Sequence, residues 1–98
     1  MGDSATEAEA LNGVGQALLA TGRADQARAH HAAALRLASQ LGDPYEQARA
    51  HDGLAHTHQA TGQSEQARHH WQRALALYTR LDVPEKTAVR ALLSDLEI

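Results

Sequence analysis

Seven histidines in a 98-residue chain are the side chains best equipped for chemistry, and there is no cysteine to join them. They fall as His30-His31, His51, His56, His58 and His69-His70. Imidazole can ligate a metal, exchange protons close to neutral pH, or fill an aromatic position while one ring nitrogen makes a hydrogen bond. Spacing limits the first option. Neighbouring residues on a helix diverge by about 100°, so neither adjacent pair can grip one ion. His51 and His58 share a helix face but lie too far apart along it. The reading adopted is that these rings replace aromatic residues and sit half-buried; a metal- or pH-responsive histidine cluster is the other reading. In either case, protonating several of them near about pH 6 would charge the interior and loosen the fold.

Other catalytic patterns are incomplete. Gly13-Val14-Gly15 starts like a dinucleotide loop, but no third glycine follows and Val14 belongs to a helical stripe. There is no phosphate-loop lysine motif and no His-Glu-x-x-His pair. Ser4, Ser39, Ser64 and Ser94 have no histidine poised by local spacing. The absence of cysteine removes disulfides, thiolate zinc sites and a thiol nucleophile. A net charge of -3, one Trp, two Tyr and no Phe disfavour a phosphate-backbone or single-strand binder. No apolar run reaches membrane length and no signal-peptide pattern opens the chain. The expectation is a soluble, cytoplasmic, non-enzymatic protein that uses no cofactor and no metal and binds neither nucleic acid nor membrane directly.

The elements that position these residues are helices. Ala, Leu, Arg and Gln dominate, whereas Val and Ile number only four. Shifted by 40 residues, the chain aligns on itself without a gap. Ala20-Thr21-Gly22 falls on Ala60-Thr61-Gly62, Gln26-Ala27-Arg28 on Gln66-Ala67-Arg68, Ala34-Leu35 on Ala74-Leu75, and Pro44 on Pro84. Each unit reads as helix, turn, helix. The first helix opens at a Ser4-x-x-Glu7 capping box and carries Ala8, Leu11, Val14, Gly15 and Leu18 at helical steps. Gly22 ends it. The second runs from about Asp25 to Leu41, with Ala27, His31, Ala34, Leu35, Ala38 and Leu41 on one face. Gly42 closes it, and Asp43-Pro44 restarts the pattern as N-cap and first helical residue. In unit two Ser64 is the expected N-cap and Trp71 faces inward; a fifth helix runs from about Glu85.

At these residues the sequence resembles the tetratricopeptide repeat. The family pattern is met by Gly15, Gly22, Asp25, Ala27, His31 and Ala34-Leu35, and again by Ala55, Gly62, Glu65, Ala67, Trp71 and Ala74-Leu75. The resemblance implies an all-α, right-handed α-solenoid of two hairpins and a fifth helix. It forms one domain over 1–98, with repeat one at about 4–43, repeat two at about 44–83 and a capping helix at about 84–98. The period is longer than the family's usual one, and histidines stand at aromatic sites. Long repeats ending as Leu41-Gly42-Asp43-Pro44 does are similar to the C-terminal arrays of large actinobacterial transcription regulators. That resemblance implies that the chain is a fragment of such a regulator.

Function is expected on the outer surface, as protein–protein interaction. Stacked first helices line the concave face of such an array. Resemblance places Glu9, Asn12, Gln16 and Leu19 there from unit one, and Arg49, Asp52, His56 and Gln59 from unit two. The constellation that clamps a C-terminal carboxylate in some relatives is missing. The fifth helix carries Ala88, Val89, Leu92, Leu93 and Leu96, with Ile98 beyond them. In register, Val89, Leu92 and Leu96 fall on the groove positions Arg49, Asp52 and His56. Leu93 is expected to cap the array over Trp71, Leu75 and Tyr78. Val89, Leu92 and Leu96 are expected to stay open as apolar anchors for a partner peptide or helix, or for self-association through the last helix. His31 and His51 are expected to approach each other where unit one stacks on unit two. A structural spacer between other domains is the alternative function.

Overall fold

Four residues with positive φ punctuate the chain. Gly22, Gly42 and Gly62 have φ values of 80°, 65° and 76°, and Asp82 has 55°. A left-handed residue just past a helix turns the chain back at no steric cost when it is glycine. Asp82 occupies the register position of Gly42, and its short polar side chain tolerates the same backbone. The computed structural model describes residues 3–97. It contains α1 (Ser4–Ala20), α2 (Ala24–Leu41), α3 (Pro44–Ala60), α4 (Ser64–Leu81) and α5 (Glu85–Leu96), with no strand among the described residues.

The helix starts follow the expected chemistry, with two shifts. Asp43 caps α3 by accepting the Glu46 amide at 3.1 Å, and Pro44 opens the helix. At α1 the cap is Asp3, whose carboxylate accepts the Ala5 amide at 3.2 Å, while Ser4 is already helical. At α4 the cap position belongs to Gln63, and Ser64 is the first helical residue. Neither expected serine acts as a cap: Asp3 takes that place at α1, and at α4 the turn after Gly62 starts the helix one residue earlier.

The helices pair as α1 with α2 and α3 with α4; α3 also packs on α2 and α1, and α5 packs on α4. Alanine makes these approaches close. Ala27, Ala34, Ala38, Ala48, Ala50, Ala55, Ala67 and Ala74 are all fully buried. Trp71 and Tyr78 fill the volume beside them in unit two, and His31 does so in unit one. Val14 and its register partner Leu54 diverge: Leu54 is 5% exposed and Val14 46%. The difference is coverage, since α2 lies over α3 while no described helix lies over that side of α1.

The fifth helix departs from expectation. Val89 is buried together with Leu93 in the cluster of Trp71, Tyr78, Ala48 and Ala55, and Leu92 and Leu96 are packed against it. Val89 is therefore not an open anchor. Burying a Val or Leu side chain is worth roughly 1.5–3 kcal/mol. Helix α5 turns Val89 and Leu93 onto the apolar side chains of α4 instead of lying beside α3 as α3 lies beside α1. A hydrogen bond from the Tyr45 hydroxyl to Glu85 fixes its entry. Ile98 lies outside the described residues.

Two glycines in equivalent positions should respond oppositely to alanine. A Cβ on Gly53 would lie 2.2 Å from the His31 ring, whereas one on Gly13 would meet nothing within 4 Å. Gly53→Ala should destabilise by about 1–3 kcal/mol through overpacking. Gly13→Ala should stabilise by about 0.5–1 kcal/mol through helix propensity. Denaturant melts of the two variants check the pair of signs.

Candidate functional site

Each hairpin is closed by the same hydrogen bond, made once per repeat. His31 Nδ1 lies 2.9 Å from Asn12 Oδ1, and Trp71 Nε1 donates to Asp52 Oδ1 at 3.0 Å. Both pairs span 19 residues, and the 40-residue shift superposes one on the other. In each unit an oxygen on the first helix receives a ring N–H from the second. The tautomer of His31 follows from its partners. Asn12 Nδ2 donates to the Glu46 carbonyl at 3.1 Å and to Glu46 Oε1 at 3.0 Å, so the amide oxygen faces the ring. His31 Nδ1 must then be the donor, and Nε2 is a buried lone pair with no partner.

From Asn12 the network runs outward. Arg49 pairs with Glu46 at 2.9 Å and donates to Gln16 Oε1 at 3.2 Å. The chain from His31 through Asn12, Glu46 and Arg49 to Gln16 ties α1, α2 and α3 together. Above it, on the side where α1 and α3 face outward, lies an open cavity of about 230 Å³. Gln16, Leu19, Arg49, Asp52, His56 and Tyr78 form its walls, over His31 and Gly53. Asp52 also accepts from the Tyr78 hydroxyl at 3.3 Å and sits 3.2 Å from His56 Nε2. Burial first, then the neighbouring Asp52 carboxylate, raises the Tyr78 phenol above its ordinary value.

The expected surface residues sort themselves by this geometry. Gln16, Arg49, Asp52 and His56 converge on the cavity. Gln59 is exposed on the same helix, outside the cavity lining. Asn12 is fully buried, so it is a structural bridge and no contact for a partner. Glu46, Gly53 and Tyr78 belong to the site but had drawn no functional attention. Glu46 carries a capping signature that masks its second role. The repeated 19-residue offset was the one available signal for the bridges.

The histidines split into two environments. His31 does not meet His51; it lies against Gly15 and Gly53 instead. His51 Nδ1 is 3.0 Å from His70 Nδ1, and His58 stacks on His70 with centroids 5.5 Å apart. His69 meets His70 edge-on, and Arg73 donates to His69 Nε2. Among the described residues no group of three or more His, Asp or Glu is arranged to hold a metal ion. Burial, then the Arg49 guanidinium, lowers His31 to about 4. Burial, then His70, lowers His51 to about 4, and burial, then His58, does the same to His70.

Two predictions follow from these contacts. Unfolded imidazoles bind protons below about pH 6.5, whereas the folded ones resist until about 4. Their stabilisation is complete above pH 6.5 and is lost as pH falls toward 4. For fully buried His31 alone the unfolding free energy should drop by up to about 1.4 kcal/mol per pH unit in that window. Denaturant melts at about pH 7, 6 and 5 check this, and a flat profile contradicts it. The bridging oxygens should also be unequal in exchange. Asn12→Asp places a carboxylate beside Glu46 in a dry site and should cost at least about 2 kcal/mol at neutral pH. Asp52→Asn keeps an acceptor for Trp71 and should cost less than about 1 kcal/mol. Parallel melts of the two variants measure the difference.

No helix among the described residues is long and apolar enough to cross a membrane. No curated protein and no solved structure matches the chain. A family-level comparison matches the tetratricopeptide repeat over residues 6–80, which takes in α1 to α4 almost completely. That repeat is generally a protein–protein interaction fold without catalytic activity of its own. Two helical hairpins in one register, each closed by the same ring-to-oxygen bond and matched over three-quarters of the chain, place this protein in the tetratricopeptide repeat family.

Proposed function

We propose that the face formed by α1 and α3, the concave side of the array, docks a protein partner. The observation that carries this reading is the open cavity at the seam of the two repeats. Its walls combine side chains from both units, held by hydrogen bonds that lie within the fold. Preorganised polar groups beside an apolar wall suit a binding site, because little side-chain freedom is lost when a partner arrives. Gln16, Arg49, Asp52 and His56 form the polar contacts, and Gln59 extends the same surface. Leu92 and Leu96, half-buried against the core, offer an apolar rim at most. The domain works as an interaction module in a larger bacterial transcription regulator, a context supported by its Leu41-Gly42-Asp43-Pro44 joint. Self-association through α5 is not favoured, since Val89 and Leu93 are spent inside the molecule.

The test is differential capture from a lysate of the source organism. One variant carries Gln16→Ala, His56→Ala and Gln59→Ala; the control carries Arg36→Ala and Arg80→Ala, both on exposed second-helix positions. Partners retained by the wild type should be lost at least tenfold from the first and kept by the control. The reverse pattern would move the docking face to the outer layer. Equal retention by both would favour a spacer role.

A further inference from the structure

The two bridging oxygens do the same structural work with different charge. In unit one a neutral amide, Asn12, accepts the ring N–H and is fully buried. In unit two a carboxylate, Asp52, accepts it, and its side chain is 23% exposed into the cavity. Asn12 demonstrates that the bond itself needs no charge. A carboxylate in a half-buried site also loses hydration that an amide would not. The ring N–H bond therefore does not itself require the charge at Asp52, whose second oxygen also serves the Tyr78 hydroxyl.

Nor is that charge balanced within the molecule. Its hydrogen-bond donors are the Trp71 indole and the Tyr78 hydroxyl, both uncharged groups, and His56 Nε2 lies 3.2 Å away. The two hydrogen bonds occupy about two of the roughly four lone-pair sites a carboxylate presents. The nearest guanidinium, Arg49 one turn earlier, is held by Glu46 and Gln16. Arg49 is paired with Glu46, so Asp52 is the carboxylate of the cavity lining that meets no lysine or arginine.

The rest of the chain repeats this separation by layer. Helices α1 and α3 carry Glu7, Glu9, Glu46 and Asp52 against Arg49 alone. Helices α2 and α4 carry Arg28, Arg36, Arg68, Arg73 and Arg80 against Asp25 and Glu65. Glu9 is exposed and Glu85 meets only the Tyr45 hydroxyl; neither makes an ion pair among the described residues. First helices are thus net acidic and second helices net basic. A potential of this kind selects partners by sign and orients them before contact.

We infer that the cavity receives a cationic side chain of the partner, and that the segment docking on the α1–α3 face is basic. The ammonium or guanidinium takes a free lone pair of Asp52, and its aliphatic stem lies along Leu19 and the Tyr78 ring. This rests on the docking face proposed above and specifies what that face accepts.

The probes are two capped peptides, acetyl-Gly-Lys-Ala-Lys-Ala-Lys-Gly-amide and its twin with Glu in place of Lys. Each is titrated into the full ¹⁵N-labelled chain at low salt and at about 150 mM salt. The lysine peptide should shift the amides of Gln16, Asp52, Gly53 and His56 saturably, and salt should weaken it. The glutamate twin should leave those amides still. Asp52→Asn should weaken the lysine peptide at least fivefold with helicity and Trp71 fluorescence unchanged. Asn12 is the internal precedent that this variant folds. Unchanged affinity in Asp52→Asn, or no shift at the cavity with either peptide, overturns the inference. Seating of the glutamate twin at the same amides overturns the cationic occupant and leaves the docking face intact. Lysine-peptide shifts confined to α2, α4 or α5 overturn the occupant and count against the docking face as well. Loss of captured partners from the Gln16, His56 and Gln59 variant, with a silent lysine peptide, sinks the inference alone.

Discussion

A ring N–H on a second helix bound to an oxygen on the first is the contact around which this molecule is arranged. It fixes how each hairpin closes, because a buried polar group left unpaired would cost about 1–3 kcal/mol. In unit one it also fixes how the repeats stack. The imidazole of His31 is short enough to lie across two helix backbones, but only where both lack a Cβ. Gly15 and Gly53 supply that space. Ring, amide and the two glycines therefore form one unit: change any of them and the others lose their reason.

Function follows from what this arrangement leaves over. Asn12 is consumed inside the seam, but its neighbours one turn away are not. The buried bridge passes through Glu46 to Arg49 and Gln16, which emerge on the open side of α1 and α3 in fixed positions. A binding surface built this way needs no catalytic group. As the proposed docking face, it would borrow its rigidity from the core and take its selectivity from the charge turned to the cavity. Repetition makes that charge visible, since each unit serves as the reference for the other.

Much of the fold could be read from the chain. Gly22, Gly42 and Gly62 and the Asp43-Pro44 pair carry their conformational requirements locally, so the joints could be placed from residue type alone. The buried alanine stripes were legible for the same reason, through helical spacing. The serine caps missed by one residue because the choice between Asp3 and Ser4 depends on how the chain enters the helix. The larger misses depend on neighbours. Val89 stands in register with Arg49, yet the roll of α5 is set by the Trp71 and Tyr78 side chains that it covers. Asn12 stands in register with Asp52, yet only Asn12 is sealed by α3. Register identifies equivalent positions; it does not supply equivalent surroundings.

His31 is held neutral as an Nδ1–H donor to Asn12, with Nε2 a bare lone pair between two glycines. Long-range ¹H–¹⁵N correlation spectra of the histidine side chains at about pH 7 test this most directly. The His31 ring should show a protonated Nδ1 and an unprotonated Nε2, unchanged down to about pH 5. A protonated Nε2, or a His31 ring that titrates near pH 6.5, would contradict it.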